Sequence, residues 1–156
     1  MYNKIYIVGP VGSGKTTLAR KLSEDYGFYC CELDSIVHGT DPSTFAGNRK
    51  RSVEERDNLF NSVLIKDSWI VEDTGRACFG IALQEADSII QLEPPVPVRL
   101  QRILLRWIKQ NLHLEKCGYN PNLHMLKCMF RWTLNYEKGA DGVKERLKPY
   151  KHKSLY

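Results

Sequence analysis

Gly9-Pro10-Val11-Gly12-Ser13-Gly14-Lys15-Thr16 is a complete G-x-x-x-x-G-K-[ST] run, and its flanks decide how it is read. Before it, Lys4-Ile5-Tyr6-Ile7-Val8 is apolar and β-rich; after it, Thr17 to Tyr26 carries Leu18, Ala19 and Leu22 at helical spacing. Strand, glycine-rich loop and helix in that order make a phosphate cradle. The glycines let successive N–H groups approach anionic oxygens with no Cβ in the way. Lys15 is placed to reach the β- and γ-phosphates of a nucleotide and Thr16 to offer its hydroxyl to Mg²⁺, while the helix aims the positive end of its dipole at the anion. The motif thus predicts ATP and Mg²⁺ as ligands, with Gly9, Pro10, Val11, Gly12, Ser13, Gly14, Lys15, Thr16 and Thr17 around the nucleotide.

Downstream, Gly27 closes the helix and Phe28-Tyr29-Cys30-Cys31-Glu32-Leu33 reads as a second strand. The right-handed crossover then requires parallel pairing with the first. Asp34 follows at the carboxyl end of that strand, the edge of an open α/β sheet where ligands bind. Trp69-Ile70-Val71-Glu72 reads as a third, buried strand tipped by Glu72-Asp73, and a strand-tip acid opposite such a loop holds Mg²⁺ directly or through water. Adjacent strand residues point to opposite faces, so Glu72 and Asp73 stand as alternatives for the metal. Asp87 to Leu92 is the fourth strand. Pro97 suits the first turn of a helix from Val98 to about Asn111, which carries Arg99, Arg102 and Arg106 on one side. Arg102 and Arg106 are the best candidates to close over a transferring phosphoryl group.

Between the second and third strands, Ser35 to Arg51 is polar, broken by Gly39, Pro42 and Gly47, and long for a connection, which predicts an acceptor-side insertion over 35–65. Ser52-Val53-Glu54-Glu55 is a capping box opening a helix from Val53 to Ile65, with residues 59, 60, 63 and 64 as its buried face. Arg49, Arg51 and Arg56 lie around its start, either to hold an acceptor phosphate or as a solvated basic loop. Short helices are expected at Cys78–Glu85 and Val143–Leu147, and an edge strand at His152–Tyr156. Residues 111–121 read as a lid or turn, and Asn122 caps a helix to Asn135 with Leu123, Leu126, Met129, Phe130 and Leu134 apolar and Arg131 a further inward candidate. The lid region as a whole covers 106–136.

A chain of 156 residues predicts one domain with its own core, spanning 1–156. No apolar stretch is long enough for a bilayer and no leader precedes the first strand, which points to the cytoplasm. The five cysteines lack C-x-x-C spacing and read as reduced thiols. Charge is uneven: residues 1–98 hold 10 Lys/Arg against 14 Asp/Glu, whereas 99–156 hold 13 against 4. The basic part suits nucleotide phosphates under a lid or a nucleic-acid backbone. Trp107, Tyr119, Trp132 and Tyr136 interleave with it, although their apolar helical settings predict core. His113-x₃-Cys117 and His124-x₃-Cys128 repeat one spacing and offer a possible set of zinc ligands.

The phosphate loop, Cys31-Glu32-Leu33-Asp34, Trp69-Ile70-Val71-Glu72, Ala86-Asp87-Ser88-Ile89-Ile90 and Arg102 with Arg106 together resemble the bacterial DNA topology modulation (FlaR-like) proteins of the adenylate-kinase-like P-loop kinases. The resemblance implies an α/β P-loop NTPase sandwich of three layers, a mostly parallel sheet of order 2-3-1-4-5, an ATP·Mg²⁺ site and a small mobile helical lid. Two departures stand out: Glu72-Asp73 replaces a family Asp-Gly, and the fifth strand is so short that the edge is frayed or completed by a partner chain. The chemistry expected is transfer of the γ-phosphoryl of Mg·ATP to a small acceptor by a monomer or homodimer, with Lys15, Asp34, Arg102 and Arg106 as catalytic residues. Asp34 either takes the proton of an acceptor hydroxyl or orders Mg²⁺ waters for a nucleoside monophosphate. The alternative is a nucleotide-dependent ATPase or regulatory protein that binds DNA and modulates its topology.

Overall fold

The apolar run at the start of the chain becomes β1 (Lys4–Val8), the central strand of the computed structural model, which describes residues 2–155. β1 pairs in parallel with β5 (Trp69–Asp73) on one side and β6 (Ser88–Gln91) on the other. β5 in turn pairs with β2 (Tyr29–Glu32), and β6 with the two-residue β7 (Ser154–Leu155). The order β2-β5-β1-β6-β7 is 2-3-1-4-5 once only the strands of this sheet are counted. The short edge strand is therefore present at Ser154–Leu155, while Tyr156, like Met1, lies outside the described residues.

The two-residue period of the strands sorts their side chains into two cores. Ile5, Ile7 and Ile70 face α1 (Lys15–Tyr26), which packs Ala19, Leu18 and Leu22 onto them. Tyr6, Val8, Trp69, Val71 and Ile89 face the opposite layer, with Leu33, Phe60, Val63, Phe79, Leu83, Val143 and Leu147. That layer is built from α2 (Leu33–Val37), α3 (Val53–Leu64), α4 (Gly80–Glu85, preceded by a 3₁₀ turn at Ala77–Phe79), and further along the chain α7 (Val143–Leu147). Both faces of a parallel sheet are covered, as its continuous apolar strands demand.

The insertion is more ordered than its polar composition suggests. Residues 33–37 form α2, and β3 (His38–Thr40) pairs antiparallel with β4 (Asn48–Lys50) as a hairpin. Composition missed both because their stabilisation is non-local: Arg51 donates through its guanidinium to the carbonyls of Ser35, Ile36 and His38, satisfying the end of α2. Arg49 pairs with Glu55 and Arg56 with Asp57, so all three arginines are engaged locally. The capping box forms as expected, but Leu59 is exposed and only Phe60, Val63 and Leu64 of the predicted face are buried.

After β6, α5 (Val96–Asn111) and α6 (Leu123–Glu137) pack on each other. Pro97 sits in the first turn of α5 and the Asn122 side chain caps α6. The buried face of α6 is Leu126, Thr133 and Tyr136; Leu123, Leu134 and Arg131 are exposed, because helix packing against α5 and the phosphate loop rotates the interface away from the most apolar stripe. Among the described residues, no helix is long and apolar enough to cross a membrane.

At the start of α3, Glu55 N–H donates to Ser52 Oγ (3.1 Å) and Ser52 N–H to Glu55 Oε2 (3.0 Å). Replacing Ser52 by Ala removes a cap worth about 1 kcal/mol, readable as a lower urea midpoint with an unchanged m-value. The Arg49 hydrogen bond, seconded by the Ser52 N–H, holds the Glu55 carboxyl down to about 2 from its ordinary 4.5. A depressed folded-state value contributes stability above the unfolded value and loses it as pH falls through the folded one. Between pH 4.5 and about 2, Glu55→Gln is therefore expected to lose less stability than the parent, measured by urea unfolding across that window.

Candidate active site

The phosphate loop leaves the carboxyl end of β1 and enters α1, whose first residue is Lys15. Two glycines are demanded by space and backbone. At Gly9 a Cβ would stand 2.3 Å from Leu92 O, and Gly12 has φ +79° with Arg99 O at 2.7 Å from where its Cβ would be. The loop carbonyls are turned outward and taken up by the rest of the fold: Lys15 Nζ donates to Pro10 O (3.0 Å), Thr133 Oγ1 to Val11 O (3.0 Å), and Arg102 Nη1 to Ser13 O (3.2 Å) and Gly12 O (3.4 Å). Among residues 11–17, Ser13 alone donates its N–H to another protein group, Pro10 O at 3.2 Å. The remaining amides form a nest for an anion.

Ser13 Oγ is buried with no partner, and Ser13 lines a cavity of about 460 Å³ with Gly14, Thr17, Leu18, Lys21 and Arg102. That volume lies in the range of small-ligand pockets. An orphaned hydroxyl beside free amides and a buried lysine suits an oxygen-rich anionic ligand.

Lys15 is 8% exposed; burial pulls its ammonium below the ordinary lysine range, with the charges of Glu72 and Asp73 pulling the other way. Glu72, 6% exposed, accepts from Thr16 Oγ1 at 2.9 Å. Burial raises its carboxyl, opposed by Lys15 and by the Thr16 hydrogen bond. Thr16 and Glu72 are thus a hydroxyl and a carboxylate in contact at the loop, the donor types an octahedral Mg²⁺ keeps alongside its waters. Asp73 points to the other face of β5, where it accepts from Gly75 N (2.8 Å), Arg76 N (2.5 Å) and Tyr6 OH (3.4 Å) and pairs with the Arg76 guanidinium. The two acids that stand as alternatives for the metal are thus on opposite faces of β5, with the Thr16 hydroxyl on Glu72.

Arg76, which sequence reading passed over, joins the two acids. Its guanidinium pairs with Asp73 and also with Asp34 Oδ1 (2.5 Å), whose carboxylate projects from the first turn of α2 with His38 Nδ1 at 3.7 Å. Burial works against the Arg76 charge, but Asp73 and then Asp34 outweigh it and hold the pKa above the ordinary arginine value. The one available signal was an arginine three residues past a strand-tip acid.

The arginines of α5 do not act as one row. Arg102 meets the phosphate loop, whereas Arg106 Nε pairs with Glu115 (3.0 Å) and Arg99, 1% exposed, pairs with Glu137 (2.5 Å) beneath the loop. Arg99 and Arg106 lie two turns apart along one side of α5, so each meets a different neighbour, Glu137 and Glu115. The proposed zinc set is not assembled: among the described residues no three His, Cys, Asp or Glu side chains gather as ligands, and His124 meets Cys128 alone (3.5 Å). Of the interleaved aromatics, Tyr136 is buried and hydrogen-bonded to Glu93 (2.6 Å), Trp107 and Tyr119 are half-buried, and Trp132 is exposed.

No family model matches the chain. A stretch of 36 residues is 50% identical to mouse (Mus musculus) adenylate kinase 9, covering 23% of this chain and 2% of that protein, so the chain spans a small fraction of its relative's length. Among solved structures, shikimate kinase from Acinetobacter baumannii in complex with shikimate aligns with 100% of this chain and 84% of its own at 21% identity, with a TM-score of 0.58. An unliganded sugar kinase from Janibacter sp. HTCC2649 aligns at 18% identity over 92% of this chain and 98% of its own, with a TM-score of 0.44. Sheet order, phosphate loop and the first of these alignments together define an α/β fold of the P-loop NTPase class.

Gly12→Ala is expected to destabilise the protein by about 2 kcal/mol, from left-handed strain and overlap with the α5 backbone. Denaturant unfolding checks it; an unchanged midpoint would mean the loop adopts another path.

Proposed function

We propose that the chain is an ATP-dependent phosphotransferase that moves a γ-phosphoryl group from Mg·ATP to a small acceptor. The observation supporting it most directly is the facing of two strand-tip sets across one sheet edge, Lys15 with Thr16–Glu72 at β1 and β5, and Asp34–Arg76 beside β2. In this reading residues 1–156 form one kinase-like domain, with the acceptor-side insertion at 35–65 and the lid at 106–136. The finer kinship with DNA topology modulation proteins rests on the quoted motifs.

Bound Mg·ATP supplies the transferable phosphoryl group and the metal's charge. The free amides of the loop and the Ser13 hydroxyl bind phosphate oxygens, and Lys15 exchanges its Pro10 carbonyl for them at little reorganisation cost because its stem is already packed. Thr16 and Glu72 hold the metal's protein side. Arg102 stands at the cavity wall and neutralises charge that develops on transfer, with Arg106 joining it once freed from Glu115. Asp34, held by Arg76, receives the proton of an acceptor hydroxyl; Arg76 is kept in place by Asp73 and orients it.

The test is ADP release from Mg·ATP against a panel of nucleoside monophosphates, nucleosides and sugars. Acceptor-dependent release is expected, and a rate independent of every acceptor would make the protein an ATPase instead. Lys15→Ala should lower turnover by roughly 10²–10³-fold, and Arg102→Ala by roughly 10³-fold. With a hydroxyl acceptor, Asp34→Asn should cost roughly 10²–10⁴-fold, whereas with a phosphate acceptor it should cost far less.

A further inference from the structure

The acceptor-side hairpin and the lid loop touch each other directly. Asn120 N–H donates to Ala46 O (2.7 Å), Asn120 Nδ2 to Phe45 O (3.3 Å), and Asn48 Nδ2 to Gly118 O (3.3 Å). Gly47 lies so close that a Cβ there would be 3.3 Å from Asn120 N.

Each side of this contact is stiff within itself. In the hairpin, Asp41 N–H donates to Gly47 O (3.1 Å), Gly47 N–H to Thr44 O (3.0 Å) and Thr44 Oγ1 to Asn48 O (2.8 Å). Its base is tied to α2 by Arg51 N–H on Val37 O (2.9 Å) and by the Arg51 guanidinium, and α2 carries Asp34. On the lid side, Asn111 Nδ2 bonds Pro121 O (2.9 Å), Trp107 Nε1 bonds Asn122 O (3.3 Å), Tyr119 OH bonds Gln110 (3.1 Å) and Arg106 pairs with Glu115 (3.0 Å). α5 carries Arg102 and Arg106. Two rigid arms joined by a few largely exposed polar contacts make one body with one weak seam.

We propose that residues 41–48 and 118–120 form a clasp through which the acceptor-side hairpin and the lid open and close as one unit, so that engagement on the Asp34 side is transmitted to Arg102 and Arg106. The transmission rests on the phosphotransferase reading; the clasp itself does not. Its bonds join segments 70 or more residues apart in sequence.

Amide hydrogen exchange on the full chain without ligand tests it, comparing the parent with Asn48→Ala/Asn120→Ala, a pair of side chains outside the core. The parent is expected to protect the Asn120 amide, and in the variant exchange should rise about tenfold in both segments together. Free-loop exchange at Asn120 in the parent, or a rise confined to one segment, overturns the clasp. A Mg·AMPPNP titration separates the two readings: in the parent it should slow exchange in the hairpin as well as the lid, and in the variant in the lid alone. Slowing confined to the lid in the parent overturns the clasp, whereas failure of AMPPNP to bind overturns the phosphotransferase reading and leaves the clasp to stand or fall on the ligand-free exchange.

Discussion

The register between β1 and β5 governs everything at the carboxyl edge of the sheet. Ile7 lies opposite Glu72 and Val8 opposite Asp73, so the strand-tip acids arrive level with the point where the chain leaves β1 for the phosphate loop. The pleat then separates them. Glu72 shares its face with Ile70 and Ile7 and meets α1, where Thr16 awaits it; Asp73 shares its face with Val71 and Tyr6 and meets Arg76. A slip of one residue would exchange these roles, presenting Asp73 to the loop and leaving Arg76 opposite Glu72. Two consecutive acids serve separate partners because the backbone allows them no common side.

That separation also explains how so much charge is tolerated near the core. Lys15 and Glu72 are both buried, each pushed toward its neutral form by burial and each opposing that push on the other, with Asp73 assisting at Lys15 and the Thr16 hydrogen bond at Glu72. On the opposite face, Arg76 sits between two carboxylates, one buried and one open to solvent. Pairs of this kind contribute little net stability, since desolvation offsets attraction, but removing one member leaves the other uncompensated. The edge is therefore organised at the expense of stability, as binding sites commonly are.

Much of the fold was legible because it is written in local chemistry. The phosphate loop, the apolar strands, the Ser52–Glu55 box and the Asn122 cap each depend on residues within a few positions of one another. What escaped was what depends on distant partners. α2 and the 38–50 hairpin lean on Arg51, for which the sequence suggests a phosphate-holding or a solvated role and no structural one; the buried face of α6 follows Thr133 and Tyr136, whose partners are Val11 and Glu93. In the site, the loop and Lys15 were legible, whereas Arg76 was not, because nothing local says that Asp34 and Asp73 converge on it.

The basic second part of the chain can be read in the same terms. Arg99 is buried on Glu137, Arg106 meets Glu115, Lys144 stands near Glu93 at 3.8 Å and Lys148 meets Glu145. These acids include three of the four that residues 99–156 contain, so the local excess is partly neutralised within the fold. Among the described residues, the hydrogen bonds of Arg102 go to carbonyl dipoles of the phosphate loop. A carbonyl compensates a guanidinium less than a carboxylate does. The guanidinium of Arg102 thus brings one positive charge of the C-terminal part to the wall of the cavity, beside the free amides of the phosphate loop.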